Sequence, residues 1–453
     1  MSTRRAAIVG GGITGLTAAF DLQRAGWSVS LYEASDRWGG KIWSSPVGDR
    51  LVDAGPDTFL ARVPHGKQLC ADLGLTDQLV SPVAPVPAYF CRNGALKPLP
   101  AGTVLGVPTD LDALAKSGAV SAAAVTRAGE DLTMPATDLY DSRGVEVSVG
   151  AYCRARLGDE VTERLVDPLV GGINASDIDR LSLRSGAPQL WAAANMGPSL
   201  IQGLRDMKDS VGATLGSAAA DEPVFLSHPD GIARIVDALV ANLDGVDLHL
   251  GEAVDHLGQL EADHTIIATP APSAAALVAD QSPAAAELLA QIEYASVAQA
   301  TLQFPRSGVD PILDASGILF PRVDGKVITA STWFSTKWAH YDSPDHILIR
   351  LTSGRFGDTR ALGFDDDALV DHLLEELRTV VSITADPTAV RVHRWVDALP
   401  QYTPGHAERV ETIQAAMASD EPTTHLIGAA YRGIGIPACI NDARTLVADL
   451  VNG

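Results

Sequence analysis

Hydrophobic and polar positions alternate between two rhythms along this chain. Short apolar runs bounded by glycine, proline or acidic residues predict strands at Ala6-Ala7-Ile8-Val9, Ser28-Val29-Ser30-Leu31-Tyr32-Glu33, Val246-Asp247-Leu248-His249-Leu250 and Asp263 to Pro270. Apolar residues at helical spacing predict helices after Gly15, from Gly231 to Leu239 and from Ala438 to Val451. Asp49 to Leu60 reads as a strand and turn, and Pro82 to Pro108 is proline-rich with an extended piece at Ala88-Tyr89-Phe90-Cys91. From Leu111 to Leu215 the rhythm is helical, with Ala/Leu/Val runs broken at glycines and prolines. Extended pieces return between Val297 and Val396, at Ala300 to Phe304, Gly317 to Phe320 and Ile347 to Leu351, and predict a mixed or antiparallel sheet. His425 to Ala430 reads as a last strand, running into a glycine-rich turn.

The order of these elements predicts an α/β chain. A Rossmann-like nucleotide-binding domain is expected from three discontinuous segments, 1–48, 222–290 and 398–453. A mixed-sheet substrate domain is expected from 49–110 and 291–397, and a helical subdomain from 111–221.

The chemistry concentrates at two glycine-rich turns. Gly10-Gly11-Gly12-Ile13-Thr14-Gly15 joins the first strand to the first helix, and the second strand closes on Glu33, which completes a βαβ dinucleotide fingerprint. Gly10 permits the tight turn, Gly12 lets the backbone approach a pyrophosphate, and Gly15 lets the helix pack on the strand. The phosphates then meet the positive end of the helix beginning near Thr14. Glu33 is placed to accept the ribose hydroxyls and disfavours the 2′-phosphate of NADP. At the other end of the chain, Tyr431-Arg432-Gly433-Ile434-Gly435-Ile436-Pro437 opens a second helix, with Pro437 suited to its first turn. A nicotinamide enzyme has no evident work for this second helix end. A flavin does, because reduction places negative charge near N1 and the C2 oxygen of the ring, where helix-end amides stabilise it. Arg37-Trp38-Gly39-Gly40-Lys41 agrees with FAD: its glycines admit backbone amides to the cofactor, and Arg37 and Lys41 offset phosphate charge.

Length and charge narrow the remaining classes. With 453 residues and a hydrophobic fraction of 46%, the chain can bury a large core of two or three domains. Its formal net charge of −22 argues against binding nucleic acid or anionic lipid. No signal peptide, and no apolar window long enough to span a membrane, is expected. Cys70, Cys91, Cys153 and Cys439 are isolated, which fits reduced, buried thiols in a cytoplasmic protein, and the scattered histidines offer no metal-ligand spacing.

On these residues the chain resembles the FAD-dependent amine-oxidase-like superfamily and, within it, the porphyrinogen oxidases of haem biosynthesis. The opening motif, Arg37 to Lys41 and the C-terminal turn belong to the broad superfamily. Gly55-Pro56-Asp57-Thr58-Phe59-Leu60, Asn93-Gly94-Ala95-Leu96, Asp167-Pro168-Leu169-Val170-Gly171-Gly172-Ile173, Leu181-Ser182-Leu183, Thr332-Trp333, Lys337-Trp338 and Leu399-Pro400-Gln401-Tyr402 are similar to the porphyrinogen branch. The resemblance implies that Gly10 to Gly15, Glu33, Ala34 and Lys41 hold the adenosine and pyrophosphate end of a non-covalent FAD. It implies also that Gly55, Pro56, Asp57 and Thr58 line the flavin, that Val254 meets the adenine, and that Trp395, Ala429, Ile434, Gly435 and Ile436 lie by the ring.

The activity implied is oxidation of a porphyrinogen to the aromatic porphyrin, with electrons passed to O2 and hydrogen peroxide released. No residue stands out as a catalytic base. Two substrates compete. Mitochondrial-type protoporphyrinogen oxidases place an arginine where this chain has Ala88, and 111–215 lacks the basic amphipathic face of a membrane-docking module. Abundant alanine and an excess of arginine over lysine suggest a high-GC Gram-positive source, whose resembling enzymes act on coproporphyrinogen III. That substrate is expected here, with protoporphyrinogen IX as the alternative and Arg62, Arg92 and Lys97 as contacts to its propionates. An amine oxidase, a carotenoid desaturase and a flavin-binding carrier remain open as other readings. The acidic surface suits a basic partner, such as a downstream haem-pathway enzyme in transient contact, and oligomeric state is left open.

Overall fold

A computed structural model describes residues 3–83, 88–215, 223–309 and 314–453, with the backbone alone for 211–215. The expected domain boundary at 221 and 222, and residues 84–87 of the proline-rich run, lie outside the described residues.

Arg5–Val9 is the central strand of a five-stranded parallel sheet, in the order Val246–Leu250, Ser28–Glu33, Arg5–Val9, His264–Ile267, Thr424–Leu426. Adjacent strand residues point to opposite faces, so Ile8 and Ile266 enter one core while Val9 and Ile267 enter another. The first core lies against the helices Ile13–Arg24 and Ile436–Asn452, through Leu16, Phe20, Ile440 and Ala443. The second lies against Ala271–Val278, Pro283–Ala290 and His406–Asp420. The central runs Arg5–Val9 and His264–Ile267 are strands buried on both faces, whereas Val246–Leu250 is an edge strand with Leu248 and Leu250 exposed.

Several elements differ from the expected bounds: Ala300 to Phe304 is part of the longer strand Tyr294–Pro305, and Asp263 to Pro270 shortens to His264–Ile267. The last strand is Thr424–Leu426 and stops before Ala430, because Gly428 at φ +121° turns the chain out of the sheet. The helix expected from Gly231 begins at Arg234. Gly231 sits at φ +86°, where a Cβ would come within 2.3 Å of Ser44 Oγ, and the Ile232 amide donates to Asp53 Oδ1 at 2.9 Å. The C-terminal helix starts two residues early, at Ile436, with Pro437 in its first turn.

A seven-stranded mixed sheet runs in the order Ala389–Pro400, Tyr294–Pro305, His346–Ser353, Ile328–Trp333, Gly317–Leu319, Ala88–Arg92, Ala95–Pro98. Its pairs are antiparallel except Gly317–Leu319 beside Ala88–Arg92. The helix Asp366–Arg378 packs Leu369, Leu373 and Leu377 against Ala300, Leu302 and Ile349 of this sheet. That helix is capped by Asp365, which accepts the Ala368 amide at 2.8 Å, and carries acids in its first turn and Arg378 in its last.

The region from 111 to 215 is helical, and its own core includes Val149, Leu157, Leu165, Leu190 and Ile201. Asp110, Ser121 and Ser148 cap three of its helices with side-chain oxygens. Thr162–Gly171 is a π-helix with Pro168 inside it. Proline cannot donate to an α-helical ladder and crowds the preceding turn, and the wider coil accommodates both effects. Among the described residues no helix is long and apolar enough to cross a membrane.

One ion pair is wholly buried in the helical region. Asp131 accepts from Arg156, from Ser199 Oγ at 2.6 Å and from the Ile201 amide at 2.9 Å, while Arg156 also donates to the Pro135 carbonyl at 2.6 Å. Replacing Asp131 by alanine strands a fully buried guanidinium. Asp131→Ala is expected to cost about 3–5 kcal/mol, read as a lowered urea midpoint for loss of helical circular dichroism.

Candidate functional site

The two glycine-rich turns meet at one end of the parallel sheet. Gly15 has no room for a side chain, since a Cβ there would lie 1.9 Å from the Gly10 carbonyl. Gly12 is the opposite case: a Cβ would meet nothing within 4 Å. The turn therefore presents an open backbone surface at Gly12 and a closed seam at Gly15. Gly39 and Gly40 cross over this turn. The Gly39 amide donates to the Gly11 carbonyl at 2.8 Å, and a Cβ on Gly40 would lie 3.3 Å from the Gly12 Cα.

Glu33 braces the turn. Its Oε2 accepts the Gly11 amide at 2.8 Å and its Oε1 accepts the Ser35 amide at 2.8 Å and hydroxyl at 2.7 Å. Carboxylate oxygens have further lone pairs for a ribose. Ala34 beside it is exposed. The Glu252 amide donates to the Glu33 carbonyl at 3.0 Å, which brings Val254 to the same end of the sheet, half-buried against the core that holds Val9 and Ile267.

Arg37 lies with its guanidinium 4.7 Å over the Trp43 ring and donates from Nη2 to the Gly40 carbonyl at 2.6 Å. Its Nη1 is buried with no hydrogen-bond partner. That orphaned donor, together with the space over Gly12, fits an anionic dinucleotide. Burial lowers the pKa of Lys41.

The second helix end lies beside the first. A Cβ on Gly428 would be 3.6 Å from Thr14 Oγ1, and the Cys439 thiol is near both Thr14 and Lys41. Burial pushes that thiol up to about 11, so it is protonated at neutral pH. Tyr402 pins the turn from behind: its hydroxyl donates to the Ala429 carbonyl at 2.6 Å and accepts the Gly433 amide at 2.8 Å. The turn bridges two cores. Ala429 and Ile436 pack with the nucleotide-sheet core, whereas Ile434 packs with the helical one and Gly435 is exposed.

The segment Gly55 to Thr58 is clamped from the mixed sheet. Arg350 donates to the carbonyls of Gly55, at 3.0 Å, and Asp53. Trp395 Nε1 donates to the Ala54 carbonyl at 2.8 Å, and its ring would lie 3.6 Å from a Cβ on Gly55. Lys337 Nζ sits 2.7 Å from Asp57 Oδ2, and Trp338 Nε1 is 3.4 Å from the same oxygen. Burial would raise the Asp57 carboxyl, but the charges of Lys337 and Arg350 outweigh it and hold the pKa below the ordinary value. Asp53 goes the other way, raised to about 6 chiefly by burial. Asp57 is among the expected flavin-lining residues, but its pairing with Lys337, and Arg350 altogether, are not read from the sequence. Arg350 had a signal, a cation inside the aliphatic run Ile347-Leu348-Ile349-Arg350-Leu351.

Trp395 also belongs to an apolar cluster with Ala175, Ala295, Val297, Phe356 and Leu399. Ala175 is held at φ +47° and its carbonyl accepts the Phe356 amide at 2.7 Å. A bulge between Ala295 and Val297, with Asp397 opposite at φ +46°, bends the sheet beside Trp395.

The three expected propionate contacts are not gathered together. Arg62 is exposed after the Phe59–Leu60 strand. Arg92 donates to Glu160 at 2.9 Å and to the Gly118 carbonyl at 2.8 Å. The Lys97 side chain would lie 4.0 Å from a Cβ on Gly118, so Arg92 and Lys97 face the same helix end while Arg62 is on another element. Ala88 opens its strand beside Gly317.

Residues 13–451 match the family model for flavin containing amine oxidoreductase. A coproporphyrinogen III oxidase of Bacillus subtilis (strain 168) is 33% identical, with 98% of this chain and 97% of that protein covered. Protoporphyrinogen oxidase 1, chloroplastic, of Arabidopsis thaliana is 27% identical, with 98% and 87% covered. The crystal structure of a putative protoporphyrinogen oxidase from Exiguobacterium sp. 255-15 superposes with a TM-score of 0.86 at 29% identity, covering 100% of this chain and 99% of that one. The chain belongs to the flavin-containing amine oxidoreductase family, in its porphyrinogen-oxidase branch.

The glycine geometry separates folding from cofactor retention. Gly15→Ala is expected to destabilise the protein in every state, whereas Gly12→Val is expected to keep the melting temperature of flavin-free protein and to lose most flavin absorbance at 450 nm (~450) per mole of protein. Lys337→Met removes the cation paired with Asp57, leaving it only the Trp338 indole and the charge of Arg350, and is expected to cost about 3 kcal/mol at neutral pH. Because the folded pKa of Asp57 is lowered, its contribution is present above the ordinary carboxylate range and lost as pH falls through the folded pKa. The gap between wild type and Lys337→Met in urea midpoints is therefore expected to close in acid.

Proposed function

We propose that this protein is an FAD-dependent oxidase that converts coproporphyrinogen III to coproporphyrin III in haem biosynthesis. The observation that carries this reading is the apolar cluster of Trp395, Ala175, Val297, Phe356 and Leu399, whose Trp395 ring lies against Gly55, itself packed on the Lys41 carbonyl beside the Gly40 crossing over Gly12. A folded tetrapyrrole ring needs a broad apolar surface beside a flavin, and the names of the full-length relatives support that substrate class.

Bound FAD would supply two-electron oxidation, so six electrons leave the macrocycle in three rounds, with three O2 becoming three H2O2. Each round removes a hydride equivalent from a bridging carbon and a proton, two of the three protons coming from pyrrole nitrogens and one from the fourth bridging carbon, so that four C–H and two N–H hydrogens leave in all. The chain's part is positional. Gly10 to Gly15, Glu33, Arg37, Gly40 and Lys41 would hold the dinucleotide end. Gly55 to Thr58, fixed by Arg350 and Lys337, would support the ring, and the helix end at Ile436 would face its N1 and C2 oxygen region. Trp395, Val297, Phe356 and Leu399 keep water from the reacting carbon. The buried, protonated Cys439 thiol supports a non-covalent flavin. Cytoplasmic location and the three-part division of the chain belong to the same proposal.

Coproporphyrinogen is favoured over protoporphyrinogen by the full-length relatives named coproporphyrinogen III oxidase, and by Ala88, which stands where protoporphyrinogen oxidases of the mitochondrial type place an arginine. Steady-state turnover of both substrates in air, with peroxide measured alongside porphyrin fluorescence, checks the reading. The expected outcome is a kcat/KM at least about ten-fold higher for coproporphyrinogen III and three peroxides per porphyrin. A preference for protoporphyrinogen IX would move the assignment to the alternative substrate. Absence of turnover with either would remove the oxidase reading.

A further inference from the structure

The ion pair of Asp167 and Arg355 is buried but left incomplete by the rest of the fold. Asp167 lies in the π-helix Thr162–Gly171, and Arg355 lies just past the His346–Ser353 strand. Their side chains are 6% and 7% exposed, yet the closest approach, Arg355 Nη1 to Asp167 Oδ2, is 3.6 Å, longer than a hydrogen bond. Asp167 Oδ2 and Arg355 Nε are both buried without a partner. Among the described residues no acceptor hydrogen-bonds the Arg355 guanidinium.

The other buried arginines are served differently. Arg156 reaches a carboxylate and two carbonyls, and Arg350 reaches the carbonyls of Gly55 and Asp53. The other acids around the pair are already engaged, Asp358 near Arg355 by Arg360 at 2.7 Å and Asp177 near Asp167 by Arg322 at 2.9 Å. A guanidinium has five donors in a planar fork that matches a carboxylate, and its desolvation is offset when two of them are used together. Arg355 thus has the burial of a binding residue and lacks an acceptor that satisfies it.

Its position links this vacancy in hydrogen bonding to the substrate side of the site. The next residue, Phe356, donates to the Ala175 carbonyl and joins the apolar wall with Trp395, which contacts the Ala54 and Gly55 backbone. Asp167 lies by the same wall, since a Cβ on Gly171 would be 3.1 Å from both Asp167 Oδ1 and the carbonyl of Ser176, the neighbour of Ala175, so a ligand resting on the wall would have its periphery near the Asp167–Arg355 pair.

We propose that Arg355 anchors a peripheral carboxylate of the substrate, with Asp167 holding the guanidinium in place until that carboxylate arrives. The inference rests on the porphyrinogen reading and assigns one of its carboxylate contacts. Asp167, pushed up to about 6 mainly by burial, takes a proton readily when a second carboxylate approaches.

The test compares coproporphyrinogen III with its tetramethyl ester, and the product coproporphyrin III by fluorescence quenching, in holoenzyme of wild type, Arg355→Ala, Arg355→Lys and Asp167→Asn. The anchor predicts that Arg355→Ala lowers the acid-to-ester ratio of kcat/KM by about ten-fold or more and weakens coproporphyrin III binding by a similar factor. Arg355→Lys is expected to recover part of both, and Asp167→Asn to keep or raise the ratio, because it frees the guanidinium. A strut that merely joins the π-helix to the sheet predicts the same loss for Arg355→Ala and Asp167→Asn, with acid and ester affected alike. That result overturns the inference. If Arg355→Ala does not fold, Arg355→Lys and Asp167→Asn decide it through the same ratio. A wild type that oxidises porphyrinogens while all variants share its acid-to-ester ratio overturns the inference and leaves the proposed function standing. A wild type that neither oxidises nor binds them overturns both.

Discussion

Close approach of backbone to backbone at the first turn is the constraint on which the rest of the site depends. Gly15 lies so near the Gly10 carbonyl that no side chain fits between them, and the first helix is thereby seated on the central strand. With that helix seated, Thr14 stands beside Gly428, so the C-terminal helix begins next to the first one and two positive helix ends share one side of the sheet. The Gly39–Gly40 crossing then completes a surface of bare backbone around Gly12.

The mixed sheet acts on this cradle at a distance. Arg350, Lys337 and Trp395 come from three different elements of the sheet region, and each ends on the short stretch from Asp53 to Asp57. Buried charge is costly unless it is well paired, so these contacts give the stretch one conformation relative to both sheets. Tyr402 does the same for the C-terminal turn, with one hydroxyl serving as donor to Ala429 and acceptor from Gly433. Rigid support of this kind is what a site needs when the chemistry is carried by a bound group and the protein's work is placement.

The helical region and the mixed sheet both depart from regular geometry. Pro168 sits within a π-helix, and Ala175 in the left-handed region and the bulge opposite Asp397 meet at the apolar cluster around Trp395. Such features persist only where surrounding structure holds them. Cores elsewhere follow ordinary alternation, as Ile8 and Val9 do in entering opposite faces of the parallel sheet.

The α/β class, the dinucleotide turn and the second glycine-rich helix start were legible in the residues themselves, because each is a local matter of strand period, backbone freedom and a nearby acid. The element ends were less so: Gly428 and Gly231 adopt positive φ for reasons of sheet exit and contact with Ser44, which their neighbours in sequence do not reveal. Lys337 and Asp57 are 280 positions apart and Arg350 and Gly55 295, so their pairing is set by how the two sheets pack. The expected cations Arg92 and Lys97 face a helix end, while Arg355, which no local pattern singles out, lies by the apolar wall. Motif chemistry is written in short stretches of chain; which buried charges are left without a full set of hydrogen-bond partners is decided only when distant elements have used up the others.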